Sequence, residues 1–518
     1  MSLAVSQEVL ISRNPATGEE IGKAKIFSKE EVRQVINRAR SVFQTWRKTS
    51  FDERKHLIMR AREVILAEMD EIAELICKES GKPIAEAISM EIAPVLDLMQ
   101  YFARNTKRLL KPRKVNIGLF SLLGRSSEII YEPVGVVVII PAWNYPFSIP
   151  LGEATMALMA GNTVIIKPSE LTPFVGLKIE EIFRKAGALE GTIQVITGDG
   201  STGAALVEAA PDKIMFTGSV STGKKIAQSA AKNLTPVVLE LGGKDPMIVF
   251  ADANLNLAAE AAVWAAFCNA GQNCASVERL YVEESIAKDF TKLLIEKTKK
   301  LKQGIGTQSD ISITVLSSEK QLQIVKEHVE SFKKEGAKIL LGGQNKGLFF
   351  EPTIIADVNN SMKAMREETF GPTLPIATFR DEEEAIRLAN DSEFGLTASV
   401  WTSDLKKARR VAEKLEAGTV CINEVLYTHA IAQTPWGGVK MSGYGRTHGL
   451  EGLMELVNPK HIHLNRLLLF PDAWWMPYSE TAINTFKGFA KYFASGSLIK
   501  TLLLLPMIFK RIKELTKK

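Results

Sequence analysis

The rhythm of apolar runs between residues 134 and 250 constrains this chain more than any other feature. Short β-rich runs, VGVVVII (134–140), NTVIIK (162–167), TIQVIT (192–197), KIMFT (213–217), PVVLEL (236–241) and PMIVF (246–250), alternate with helical stretches. Those stretches are PLGEATMALMA, VGLKIEEIFRKAG, TGAALVEAA and STGKKIAQSAA. A strand that is apolar at every position has both faces buried, and helices between such strands supply the cover. A parallel sheet is therefore expected. A second series predicts a second α/β unit: RLYVEE, a helix to about Lys302, KILLGG, ASVWT, the helix DLKKARRVAEKLEAG, and TVCIN. Two such units enclose a cleft, and ligands bind outside the carboxyl ends of the strands. Residues 29–110 read as helices, the first led by Ser28, with apolar residues at three- and four-residue spacing.

The chain has 518 residues, enough for about two to four domains. Its four cysteines, Cys77, Cys268, Cys274 and Cys421, are too few for a disulfide framework at this size. They point to a reducing, cytoplasmic compartment, where a lone cysteine is core filler or a nucleophile. No apolar run reaches the roughly 18 residues of a membrane span, and no basic-then-apolar leader is present. Neither a transmembrane helix nor a signal peptide is expected. The net charge of +6 is uneven: from Lys460 onward there are ten Lys/Arg against three Asp/Glu. The remainder is close to neutral, which argues against a nucleic-acid partner.

Several motifs carry chemistry. Gly198-Asp-Gly200-Ser-Thr-Gly203 follows a strand and precedes a helix, as a dinucleotide loop does, but no acidic residue at a later strand end is placed to hold a ribose. Alone the motif is weak, and a tight βα turn is the stronger reading. Gly218-Ser219-Val-Ser-Thr-Gly223-Lys224 approaches a phosphate loop, but Lys225 stands where a magnesium-binding hydroxyl is needed, which disfavours an NTPase. A helix start behind a glycine turn still suits a pyrophosphate, because free amides and the helix dipole favour anions. Lys167 and Glu170 at a strand end are spaced to grip two hydroxyls, or form a solvated surface pair. Glu240, between Leu239 and Leu241 and before Gly242-Gly243, is the most anomalous carboxylate. Burial is costly for it unless it is partnered or functional, and burial raises a carboxyl toward the general-base range.

Taken in order, PAWNYPF (141–147), KPSE (167–170), FTGSVSTGK (216–224), LELGGKDP (239–246), GQNCAS (271–276), EETFGP (367–372) and PWGGVKMSGYGR (435–446) resemble the NAD(P)-dependent aldehyde dehydrogenase superfamily over residues 10–465. The resemblance implies oxidation of an aldehyde to the acid with NAD, or NADP, and water. Cys274 is then the nucleophile. Asn144 and the Cys274 backbone amide form the oxyanion hole, and Glu240 activates the water that releases the acid. Lys167 and Glu170 hold the adenosine ribose, and Gly218 and Ser219 the pyrophosphate. Glu368, Phe370 and Trp143 sit on the nicotinamide side. The glycine loop at 198–203 is then a decoy. No metal is implied.

The implied fold is α/β, with two parallel-sheet Rossmann-like domains, a small β oligomerisation element and a helical C-terminal extension. The NAD-binding domain takes 1–112 and 134–242, the catalytic domain 243–441, and the oligomerisation element 113–133 and 442–466. Residues 467–518 form the tail. A homodimer or homotetramer is implied. PAWNYPF resembles the branch that handles medium and long aliphatic or aromatic aldehydes, whereas GQNCAS does not closely match that branch. Thr369 replaces a usual aliphatic residue. A CoA-acylating enzyme and a non-catalytic scaffold are the alternatives; Glu240 speaks against the first and the intact trio Cys274, Asn144 and Glu240 against the second.

The tail must be read separately. It holds nine aromatic residues in 52, against 7% aromatic for the whole chain. Paired Trp474-Trp475, and basic residues flanking the apolar Leu498–Phe509, suit a lipid headgroup region. The expectation is a helical tail that caps the substrate entrance and touches a membrane surface peripherally. Packing on a neighbouring subunit is the alternative.

Overall fold

In a computed structural model, residues 9–122, 124–466, 470–497, 499 and 502–516 are described. Of the expected tail, 467–469, Leu498, Lys500, Thr501, Lys517 and Lys518 lie outside them. The chain forms two compact units. One takes the chain up to Thr106 together with Pro133–Val457, and the other takes Lys107–Glu132 and the chain from Asn458 onward.

The larger unit contains both predicted sheets. The first has six strands in the order Gly443–Tyr444, Val237–Glu240, Lys213–Thr217, Val136–Ile140, Thr163–Ile166, Ile193–Val195. All pairings are parallel except that of Gly443–Tyr444 with Val237–Glu240. Val136–Ile140 starts the series yet lies in the middle, so the chain reverses direction of travel between it and Lys213–Thr217. Helices leave these two strands toward opposite faces, and a crevice opens at their carboxyl ends. The residues following those ends are Pro141 to Asn144 and Gly218-Ser219. Every residue of Val136–Ile140 is buried, which is why the run is apolar throughout.

The second sheet has seven strands: Lys338–Leu341, Thr353–Ala356, Thr373–Phe379, Val277–Glu283, Asp245–Val249, Thr397–Trp401, Thr419–Ile422. Only Lys338–Leu341 runs antiparallel. PMIVF continues the rhythm of the first series, but its strand pairs with Val277–Glu283 and Thr397–Trp401 in the second sheet. The two strands at 353–356 and 373–379 escape a pattern reading. One is four residues long, and the other carries Pro375, which ordinarily marks an edge. The antiparallel pair Val9–Arg13 and Glu20–Lys25 also had no strong signal.

Helices Lys29–Trp46 and Phe51–Ala67 each begin with a reciprocal capping box, Ser28 with Glu31 and Ser50 with Glu53. Helix Ser148–Ala160 is buried at every position. A helix covered on all sides should be apolar all round, and Glu153 is its one ionisable residue.

In the smaller unit, Arg113–Val115, Arg125–Pro133 and Val457–Asn465 form a three-stranded sheet. Helices Glu480–Ala494 and Leu505–Thr516 pack on each other around Ala473, Leu504 and Ile508. The buried Arg511 guanidinium donates to the carbonyls of Ala473, Trp475 and Pro477, which ties the Trp-containing loop to the last helix. The tail is therefore helical as expected. Among the described residues, no helix is long and apolar enough to cross a membrane.

Candidate active site

Cys274 lies between helix Leu255–Phe267 and strand Val277–Glu283. The intervening turn puts Asn269, Ala270 and Gly271 at φ of 49°, 55° and 72°. Two non-glycine residues in the left-handed region are costly unless the surroundings hold them. Here Asn269 Nδ2 donates to the carbonyls of Asn144 (3.2 Å) and Gln272 (3.0 Å), and its amide donates to Glu86 (2.8 Å). Gln272 in turn bonds Asn269, Val315 and Ser317. The thiol at the end of this turn is half-buried, whereas Cys77, Cys268 and Cys421 are buried. Burial, with the carboxylates of Asp245, Glu240 and Glu368, pushes the Cys274 thiol well up, so it rests protonated.

Asn144 follows the central strand of the first sheet and is buried. Its Nδ2 donates to Gln272 O at 3.2 Å, while its own carbonyl accepts from Lys82 Nζ at 2.7 Å. Lys82 also pairs with Glu91 at 2.5 Å, and Glu91 accepts the amides of Phe147 and Ser148. This buried pair anchors the Asn144 loop to the helix after it. Neither residue carries a local sequence signal, because 82 and 91 meet 144–148 only through the fold.

Glu240 is the last residue of its strand. Its side chain is buried and Oε1 has no hydrogen-bond partner. Burial first, then the carboxyl of Glu153, raise it well above the carboxylate range; Arg446 and Trp436 act against this. Glu240 and Cys274 line one cavity of about 180 Å³, whose walls include Met90, Pro94, Ile149, Trp264 and Leu426. The link between the two sheets passes beside them, and it must be glycine. A Cβ on Gly242 would stand 2.5 Å from the Glu368 carboxylate, and one on Gly243 2.4 Å from the Cys274 carbonyl.

Around the crevice stand the other predicted residues. Lys167, at the end of Thr163–Ile166, has a buried side chain with Nζ 3.6 Å from the half-exposed Glu170 carboxylate. Ser219 caps helix Val220–Ala230 by accepting from the Thr222 amide, directly after Gly218. Glu368 Oε1 accepts from the Gly243 amide at 2.9 Å, and burial lifts its pKa to about 8. Phe370, at φ 52°, meets Trp143 edge to face at 5.5 Å. The Glu278 carboxylate holds this turn by accepting from the Thr369 and Phe370 amides, both at 2.8 Å. Thr369 places its hydroxyl 3.0 Å from His328 Nδ1 and 3.2 Å from Lys244 Nζ, so the departure from an aliphatic residue adds buried hydrogen bonds.

At the glycine loop 198–203, Asp199, Gly200 and Ser201 are exposed. Asp199 caps helix Gly200–Glu208, and Thr197 and Thr202 bond to the chain at Lys25 and Phe27. It follows an outer strand, away from the reversal point. Sequence reasoning missed Glu153 and His429, which line the Cys274 cavity, because they lie outside the ordered motifs.

Together, fold and site define a doubly wound α/β enzyme with its cavity between the carboxyl end of one parallel sheet and the loop entering a strand of another. Residues 4–462 match the family model described as Aldehyde dehydrogenase family. The chain is similar to the 4,4'-diapolycopene aldehyde oxidase of a Methylomonas species, 41% identical over 479 residues, covering 92% of this chain and 90% of that protein. Among solved structures, it resembles the NAD-dependent aldehyde dehydrogenase of Sinorhizobium meliloti, with a TM-score of 0.87, 36% identity and coverage of 92% and 95%. It also resembles the betaine aldehyde dehydrogenase of Staphylococcus aureus in complex with NAD+, with a TM-score of 0.84, 34% identity and coverage of 92% and 95%. The chain belongs to the aldehyde dehydrogenase family.

Proposed function

We propose that this protein oxidises a lipophilic aldehyde to its carboxylic acid with NAD+ and water. The observation that carries the reading is the cavity shared by Cys274 and Glu240, with predominantly apolar walls. Cys274 Sγ bonds to the aldehyde carbon as the thiol proton passes to solvent. The carbonyl oxygen becomes an oxyanion, for which the Asn144 amide and the Cys274 backbone N–H are the donors. Loss of hydride leaves an acyl thioester on Cys274. Glu240 then takes a proton from water, the water oxygen bonds to the acyl carbon, and the C–S bond breaks.

The crevice fits a dinucleotide. Helix Val220–Ala230 starts behind Gly218 with no acidic residue in its first turn, and Glu368 sits against a backbone that tolerates no Cβ. NAD+ supplies the hydride acceptor when bound. Lys167 and Glu170 are the ribose-holding pair in this reading, and Gly218 and Ser219 face the pyrophosphate. Phe370 and Trp143, with Glu368, form the nicotinamide end. The Glu170 carboxylate opposes a 2′-phosphate electrostatically. Glu170→Gln is expected to raise the NADP-to-NAD ratio of kcat/KM about tenfold, equivalent to about 1.4 kcal/mol. A wild-type ratio that already favours NADP would overturn the preference.

The same reading places the lipophilic substrate near a lipid surface. The described tail exposes Trp475 (54%), Met476 (74%) and Tyr478 (62%) before helix Glu480–Ala494 and Phe509 (64%) on helix Leu505–Thr516, with Lys487 and Lys491 exposed on the first helix and Lys510 and Lys513 on the second. Apolar rings beside lysines match an anionic headgroup layer, which gains both apolar burial and charge pairing. The strand Val457–Asn465 mediates a homodimer or homotetramer in this reading, since it exposes Ile462 and Leu464. Truncation after Asn465 tests both ideas. Flotation with phosphatidylcholine/phosphatidylglycerol vesicles should be lost, short-chain aldehyde turnover kept, and kcat/KM for long-chain aldehydes reduced. Light scattering should still read an oligomer. Equal flotation of the truncated chain, or equal loss across chain lengths, overturns the membrane reading.

A further inference from the structure

Tyr145 and Asn273 are buried residues of the cavity wall that the chemistry above leaves without a part. Each is the chain neighbour of a group that has one: Tyr145 follows Asn144, and Asn273 precedes Cys274. The fold sets them against each other, with Asn273 Nδ2 donating to the Tyr145 hydroxyl oxygen at 2.7 Å. The other end of the amide is fixed too. Its Oδ1 accepts from the Ala275 amide at 3.0 Å and stands 3.9 Å from Cys274 Sγ, as the acceptor for its S–H. A backbone N–H can only donate, so the Asn273 amide cannot turn over without losing a bond. Tyr145 is fixed in turn, because the Lys82 ammonium stands 4.1 Å from its ring centroid while donating to the Asn144 carbonyl. Two apolar side chains of the same shape would cost the fold little in place of this buried hydrogen bond, so stability alone does not account for it.

We propose that Tyr145 and Asn273 are positioning residues: their hydrogen bond is a strut that sets the spacing between nucleophile and oxyanion donor, and Asn273 Oδ1 fixes the direction of the resting Cys274 thiol. The proposal rests on the reading of Cys274 as the nucleophile and Asn144 as the oxyanion donor. In that chemistry sulfur must meet the aldehyde carbon while Asn144 Nδ2 meets its oxygen. Those two substrate atoms are one bond apart, so a small error in spacing between the two chain segments slows the reaction steeply. The other cross-links between the segments end on backbone. Asn144 Nδ2 donates to the Gln272 carbonyl, and Asn269 Nδ2 to the Asn144 carbonyl. The Tyr145–Asn273 bond joins side chains, and it does so at the residue next to the thiol. Burial pushes the Tyr145 hydroxyl well up, so it stays protonated and the strut is the same across the working pH range.

Other titratable groups surround the pair. Asp245, Glu240 and Glu368 face the thiol and raise it together with burial. Cys268, Glu86 and Glu91 face Tyr145, with Lys82 over its ring, and Cys268 Sγ lies 3.9 Å from Asn273 Nδ2. All of them are retained in the variants below, so a shift in the thiol's titration there reads the Asn273 oxygen.

The test is a double-mutant cycle of Tyr145→Phe and Asn273→Ala. It is read by the pre-steady-state NADH burst and by the pH midpoint for alkylation of Cys274 with iodoacetamide. Tyr145→Phe removes one oxygen atom and keeps the ring. It should slow the burst about tenfold or more, with KM for NAD+ held within about twofold. In an Asn273→Ala background the same substitution should change the burst by less than about twofold, because the bond is already absent. Equal slowing in both backgrounds, no slowing in either, or a KM for NAD+ that rises in step with the lost burst overturns the strut. Asn273→Ala should lower the alkylation midpoint by about half a pH unit or more, since the oxygen that accepts the S–H is gone. An unmoved or raised midpoint overturns the thiol contact. Should Asn273→Ala fail to fold, Asn273→Ser takes its place, whose hydroxyl still accepts the Ala275 amide and is too short to reach Tyr145. Cys274→Ala measured alongside separates the two ideas. Full turnover in that variant removes the nucleophile reading itself, whereas a dead Cys274→Ala with a wild-type burst in Tyr145→Phe removes only the strut.

Discussion

Cys274→Ala should abolish dehydrogenase turnover, with kcat falling about 10⁴-fold or more, as removal of a covalent nucleophile typically does. The substitution removes one sulfur at a half-buried position, so the fold should persist and its thermal transition should move little. The other three thiols cannot substitute. Cys77, Cys268 and Cys421 are buried, and burial raises Cys77 to about 12 and Cys421 to about 11. A thiol held protonated in a closed core is a poor nucleophile. Cys274 is also raised, but it opens on the cavity and stands at the end of a turn clamped by Asn269 and Gln272. Incubation with an alkylating agent should modify Cys274 first. Full turnover in Cys274→Ala, measured as NADH formation with a short-chain aldehyde, would sink the assignment.

Glu240→Gln should separate the two halves of the reaction. The first burst of NADH should survive, while steady turnover falls by about 10²–10⁴-fold, the range for losing a general base. Gln keeps the volume and cannot accept the proton from water. The pH dependence follows from the same geometry. Burial and Glu153 raise the folded-state pKa of Glu240, so the carboxylate form that acts as base is scarce at low pH and grows as pH rises. Wild-type kcat should therefore climb on the alkaline side of neutrality, and Glu240→Gln should lose that slope. Product analysis with and without CoA belongs to the same experiment. An acyl-CoA product in the wild type would replace hydrolysis as the fate of the thioester. A full-strength steady state in Glu240→Gln would show that another group activates the water.

The first sheet was readable because its interior strands carry unbroken apolar runs: VVVII in full, and VII, IMF and VVL within the others. That pattern follows directly from burial on two faces, and the chain must carry it in its own residues. Glu240 stood out as a carboxylate inside an apolar run, whereas the roles of Cys274 and Asn144 came only from the resemblance that GQNCAS and PAWNYPF carry. The strand Thr373–Phe379 was not readable, because Pro375 violates the local rule and only pairing with neighbours on both sides places it mid-sheet. PMIVF was apolar enough for either sheet, and Gly242-Gly243, by allowing close approach of the chain, carry it across into the second.

Local pattern thus specifies which residues want burial and which turns are tight. It does not specify which buried groups will meet, since that depends on contacts across scores of residues. Lys82, Glu91 and Asn144 come together from two separate stretches, and Glu153 and Glu240 reach one cavity from a helix and a strand end. In sequence, Glu153 is one acidic residue in a helix. Its charge state and its coupling to Glu240 arise only when that helix is covered on every side and water is excluded, because desolvation and proximity are properties of the packed interior and not of the chain.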